Sequence, residues 1–283
     1  MIDHCTVANL LRITMLVYNY GNSIIVDSKD ETIEHFVNNA LINNQIDSLQ
    51  ISDVRRQVLF DIVKNTPNGK VFKFISDKTT DIQVGITTNE DDKRICVVFR
   101  GSESNTDWLY DLQVRKHKLT DDISVHSGFY KQLHDTDVYT QIVEELRIIW
   151  DKFPDYSVYI TGHSLGAALA TLFGYLLSCD IANKITVVSF ASPRVGNASW
   201  QKSFESKPNL VHYRVTNNRD IITAFPVYKY KHVGQNIRLF DNTFSTFLNY
   251  ADDSWYDFTI FRCWSGADHN CDLYYKNLVH NKW

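Results

Sequence analysis

The chain has 283 residues, 44% hydrophobic and 22% charged, with 29 basic against 33 acidic side chains and a formal net charge of −4. These proportions exclude a disordered or fibrous chain, and the balanced charge excludes a basic nucleic-acid surface as the main business. Sixteen Phe, 15 Tyr and 6 Trp supply the bulk for one sizeable core, in one large domain or two small ones.

Residues 1–66 read as an N-terminal helical segment packing on a later core, because apolar residues recur at helix spacing through Leu10, Leu11, Met15 and Leu16, then Glu31–Leu41, then Val54–Val63. Residues 67–283 read as an α/β domain. Val71–Ile75, Ile82–Ile86 and Ile95–Phe99 look like strands separated by turn-rich pieces, and the third is apolar throughout, as a strand covered on both faces should be. One long helix is expected from about Phe129 to Trp150. Then come a strand at Val158–Ile160, a small-residue helix at Leu165–Leu177, a strand at Ile185–Phe190 and another at Leu210–Val215. Strands alternating with helices imply a mostly parallel central sheet with helices on both faces.

The start, Met1-Ile2-Asp3-His4, is not the positive n-region of a secretory signal, and Arg12 interrupts the apolar run Leu10–Tyr18. No run approaches the roughly 18 apolar residues of a membrane span. The five cysteines, Cys5, Cys96, Cys179, Cys263 and Cys271, are odd in number and irregular in spacing. Reduced thiols in a soluble, cytoplasmic protein are the expectation. Cys263, His269 and Cys271 cluster without a fourth ligand at zinc-like spacing, so no metal is expected.

The chemistry sits in Gly162-His163-Ser164-Leu165-Gly166. G-x-S-x-G between an apolar strand and an alanine-rich helix reads as a nucleophile elbow, in which Gly162 and Gly166 leave room for the sharp turn and Ser164 is lifted to the helix N-terminus. The plainer reading is a glycine-rich turn with a capping serine. A serine needs a base, and in this architecture acid and then histidine follow the nucleophile in the chain. Asp220, just past a strand end, is the candidate acid; a loop aspartate capping a turn is the alternative. Of the downstream histidines, His212 precedes Asp220, His232 follows it too closely and His280 lies near the chain end. His269 opens the terminal helix, and position alone leaves it balanced between a base and a lone surface histidine. One oxyanion donor is expected at the backbone of Leu165, the second in the loop after the third strand, at Gly101-Ser102.

Val97-Val98-Phe99-Arg100-Gly101-Ser102, Asp107-Trp108-Leu109-Tyr110-Asp111-Leu112, His126-Ser127-Gly128-Phe129, Gly162–Ala170, Phe190–Asn197 and Asp268-His269 together resemble the class 3 lipases, the fungal-lipase-like α/β-hydrolases. The resemblance implies a Ser164–His269–Asp220 triad, an oxyanion hole from Ser102 and Leu165, and an Asp111 that steadies Ser102. It also implies a lid over Ser104–Lys116, with Trp108 and Leu109 as lid or substrate-binding residues. His163, Gly162, Gly166 and Gly101 are expected in support. The expected activity is serine-dependent hydrolysis of lipid esters, triacylglycerol lipase-like or phospholipase A1-like, with a lipid substrate or lipid surface as partner and no cofactor. The alternatives are an esterase of small soluble or aryl esters and a catalytically silent lipid-binding module on the same fold.

Overall fold

The computed structural model describes residues 2–20, 31–32, 53–65, 69–77, 79–101, 115–217, 219–226, 228–240, 243–249 and 265–280. Among these, nine strands form one sheet in the order β1-β2-β3-β4-β7-β8-β9-β10-β11. They are β1 (Glu31–Thr32), β2 (Gly69–Asp77), β3 (Ile82–Asn89), β4 (Arg94–Phe99), β7 (Ser157–His163), β8 (Ile185–Phe190), β9 (Leu210–Asn217), β10 (Gln235–Phe240) and β11 (Thr243–Asn249). A separate two-stranded ribbon pairs β5 (Lys116–Lys118) with β6 (Ser124–His126).

The five central strands, β4 and β7 to β10, are parallel. Antiparallel strands flank them, β1 to β3 on one side and β11 on the other. This is the mostly parallel centre read from the sequence, with antiparallel borders added. Parallel strands need cover on both faces. Alternate residues of β4 enter two different cores: Ile95, Val97 and Phe99 one, Cys96 and Val98 the other. The first core is closed by α3 (Ser127–His134), α4 (Val138–Lys152), α5 (Leu165–Asp180) and α6 (Ala198–Glu205). The second is closed by α1 (His4–Tyr20), α2 (Asp53–Asn65) and α7 (Cys271–His280).

α1 is therefore part of the packing of the sheet: Leu10, Leu11, Met15 and Leu16 are almost fully buried with Val98, Val188 and Phe190. Each such side chain contributes about 1.5–3 kcal/mol by leaving water. α5 is apolar around most of its circumference and buried along most of its length, as expected of a helix at the centre of a domain rather than at its surface.

Three expectations need correcting. The single helix over Phe129–Trp150 is two, because α3 ends at His134, with Asp135 as its C-cap, and α4 starts after Asp137. Asp135-Thr136-Asp137 prefer local side-chain bonding to helix interior, and the apolar pattern resumes with Val138. The helix expected over Glu31–Leu41 does not begin where it should: Glu31 and Thr32 pair with Val71 and Lys70 as a strand, and the remainder lies outside the described residues. The strand-like reading of Tyr228–Lys231 reduces to a turn with one bridge from Lys231 to Gly196.

Candidate active site

Ser164 stands between β7 and α5, as the N-cap of the helix, with φ 58° and ψ −122°. A residue with a Cβ in that region carries strain of about 1–3 kcal/mol, held only where the surroundings over-determine it. Here the Ser164 N–H donates to the Phe190 carbonyl at 3.0 Å, and the Ser164 carbonyl accepts from Ala167 and Ala168 at 3.1 and 3.2 Å. The turn is possible because the residues two positions before and after Ser164, Gly162 and Gly166, have no side chain. A Cβ on Gly162 would collide with the Gly166 carbonyl, and one on Gly166 would collide with the Phe99 carbonyl on β4. The elbow is thus wedged between its own helix and the adjacent strand.

Two loops bring the other side chains to Ser164. β9 ends at Asn217, and the loop after it carries Asp220. That loop pairs with the segment leading to His269: the Ser265 N–H donates to Arg219 O at 2.9 Å, and Asp220 bridges Ser265. His269 Nδ1 lies 3.1 and 3.0 Å from the two carboxylate oxygens of Asp220, and His269 Nε2 lies 2.7 Å from Ser164 Oγ. Carboxylate, imidazole and hydroxyl form one continuous chain of hydrogen bonds. All three are buried, at 0%, 3% and 1% exposure. Such burial strengthens each of these contacts relative to water.

His163 is neutral: burial, with the His269 ring 4.8 Å away, pushes its pKa well below the ordinary value. Its Nε2 lies 2.9 Å from the His269 carbonyl, so an Nε2–H tautomer donates there and holds the backbone of the candidate base. Leu165 is the first residue of α5, where an N–H has no partner within the helix. Gly101 is buried just beyond the end of β4. Ser102, Asp111, Trp108 and Leu109 lie outside the described residues.

The other downstream histidines are engaged elsewhere. His212 Nε2 pairs with Ser189 Oγ at 2.8 Å, and His280 Nδ1 with Lys276 O at 2.7 Å. His232 Nε2 bonds to Thr223 O at 2.7 Å, and Thr223 Oγ1 donates to Asp220 O at 2.8 Å, so His232 braces the loop that carries the acid. Two residues at the site were not singled out from the sequence. Tyr274 donates to Asp220 Oδ2 at 2.6 Å, and Asn217 Nδ2 donates to Asp268 O at 2.8 Å. Neither belongs to a short motif. A polar tyrosine inside the terminal helix, one turn past His269, was the available signal. Among the described residues no group of three or more His, Cys, Asp or Glu side chains is arranged to hold a metal.

A mostly parallel, doubly covered sheet with a strained serine between strand and helix defines an α/β-hydrolase-like fold. Residues 96–230 match the family model described as lipase (class 3). It is 30% identical over 171 residues to phospholipase A1-II 1 of Oryza sativa subsp. indica, an alignment covering 51% of this chain and 42% of that protein. The chain thus accounts for less than half of that relative's length. In structure it is similar to a triacylglycerol lipase whose catalytic centre is described as a serine protease triad, with a TM-score of 0.71 at 22% identity over 95% of this chain and 96% of that one. It is also similar to the lipase from Rhizopus microsporus var. chinensis, with a TM-score of 0.69 at 22% identity over 93% and 84% of the two chains.

Proposed function

We propose that the chain is a serine-dependent carboxylic ester hydrolase acting on lipid esters, with Ser164 as nucleophile, His269 as general base and acid, and Asp220 as the orienting carboxylate. The observation that carries this reading is the unbroken contact from Asp220 through His269 to Ser164 Oγ, 2.7 Å at its last step, at the N-terminus of α5. The class 3 lipase match and the likeness to phospholipases A1 support a lipid ester as substrate.

The chemistry follows from the contacts. His269 Nε2 accepts the Ser164 proton as Oγ attacks the ester carbonyl. Asp220 accepts from Nδ1–H, fixes the tautomer that leaves Nε2 free to act as base, and stabilises the imidazolium that forms. The tetrahedral oxyanion is held by the Leu165 N–H and, in this reading, by Ser102, with Asp111 steadying that serine. Losing one such donor costs roughly 100- to 1000-fold in rate. His269 then protonates the leaving alcohol, and a water deprotonated by His269 releases the acid from the acyl-enzyme. Every step uses side chains, backbone and water.

Ser164→Ala tests the reading. It should abolish hydrolysis of p-nitrophenyl butyrate, dispersed triacylglycerol and phosphatidylcholine vesicles alike while the circular dichroism of the protein is unchanged. Wild-type rates in the variant would refute the assignment. Among wild-type rates, a preference for vesicles or dispersions over the soluble ester separates a lipid hydrolase from a small-ester esterase.

A further inference from the structure

We propose that Tyr274 is a positioning residue for this relay, aiming the Asp220 carboxylate at His269 Nδ1. The inference rests on the triad reading above. Tyr274 is fully buried, and its hydroxyl is used twice: it accepts the Asn217 N–H at 2.9 Å and donates to Asp220 Oδ2 at 2.6 Å. Burial first, and then the charge of Asp220, hold its ionisation well above the usual phenol range. The proton therefore stays on the oxygen, and donation is the only role open to it toward the carboxylate.

The other carboxylate oxygen is fixed as well, since Asp220 Oδ1 accepts the Ile222 N–H at 2.9 Å. With a donor at each oxygen besides the imidazole, the carboxylate cannot turn away from His269 without giving up a charge-assisted bond. Asn217 extends the same framework to the base. Its side chain donates to Asp268 O at 2.8 Å and accepts from Asn277 Nδ2 on α7 at 3.1 Å. The end of β9 and α7 therefore hold the acid directly and the base through the residue before it. α7 is anchored in turn by the adjacent tyrosine: Tyr275 donates to Asp61 Oδ2 on α2 at 2.5 Å and accepts from Arg12 Nε on α1 at 3.0 Å.

A tyrosine that only filled the core would lose little beyond stability on becoming Phe. A positioning tyrosine would also change the ionisation of the base. The test compares Tyr274→Phe with Tyr275→Phe, which removes a hydroxyl from the next position of the same helix, and with Ser164→Ala. Y274F should lower kcat on p-nitrophenyl butyrate about 10- to 100-fold, the rate equivalent of one hydrogen bond to a charged group, with KM nearly constant. Its acidic limb of kcat should move to higher pH, because a carboxylate that has lost a donor holds the imidazolium proton more strongly. Y275F should lower Tm and leave that limb in place. Wild-type kcat and an unmoved limb in Y274F, beside an inactive S164A, would overturn the inference alone. Activity surviving in S164A would take down the triad reading and this inference with it. Should Y274F fail to fold, NMR of tyrosine-labelled wild type decides: a slowly exchanging hydroxyl proton on the Tyr274 ring that shifts in Asp220→Asn is expected, and its absence overturns the proposal.

Discussion

His269 makes its two ring contacts on opposite sides, Nδ1 to Asp220 and Nε2 to Ser164, so it cannot be replaced by a neighbour without rebuilding both loops. His269→Ala should accordingly be as damaging to hydrolysis as Ser164→Ala, because members of such a relay act as a unit. Asp220→Asn should lower kcat by about 10⁴-fold, since an amide at that position can favour the wrong imidazole tautomer. Steady-state kinetics on p-nitrophenyl butyrate checks both. If His232→Ala proves the damaging histidine change instead, the base is misassigned, because His232 reaches Asp220 only through the loop it braces.

Elements set those side chains in place, and the clearest example away from the relay is Asn197. Its side-chain oxygen accepts from Trp200 N at 2.9 Å as the N-cap of α6 and from Ser124 N at 3.2 Å, while its amide donates to Asp122 O at 2.7 Å. One residue thus caps a helix and ties the β5–β6 ribbon to the loop after β8. Asn197→Ala should cost about 1–2 kcal/mol in urea denaturation, the upper part of the range for a lost cap; an unchanged midpoint would contradict this. The elbow was legible in the sequence because its constraints are local: Gly162, Ser164 and Gly166 lie within one turn. The alternation of apolar β strands and helices was legible for the same reason. The break between α3 and α4 was missed because Leu133 and Val138 are only five positions apart, so the short polar interruption at Asp135–Asp137 left the apolar pattern looking like one helix. β10 was missed because only Ile237 and Leu239 mark its buried face, with polar Asn236 and Arg238 buried beside them. Tyr274 was missed because its role depends on Asp220, 54 positions earlier, and sequence proximity carries no sign of that contact.

Across the whole molecule, the buried histidines tie stability to pH. Burial, reinforced by Arg214, lowers His212 to about 3, and burial also holds His163 and His232 well below the ordinary value. These folded-state values lie below the unfolded one near 6.5, so in the window between them the unfolded chain binds protons that the folded chain does not. Stability is therefore complete above pH 6.5 and falls as pH drops. His212 alone should cost about 1 kcal/mol between pH 7 and 5.5, with His163 and His232 adding in the same direction. Urea midpoints measured at the two pH values check this, and a flat or rising profile toward acid would contradict it. The proposed activity requires one activated serine, Ser164. Its most direct test is incubation of wild-type protein with a p-nitrophenyl alkylphosphonate, followed by intact-mass and peptide mass spectrometry. One phosphonyl group per chain, carried on Ser164 and absent from His269→Ala, is the result expected. Full loss of esterase activity with the adduct on another residue, or with Ser164 unmodified, would contradict the account.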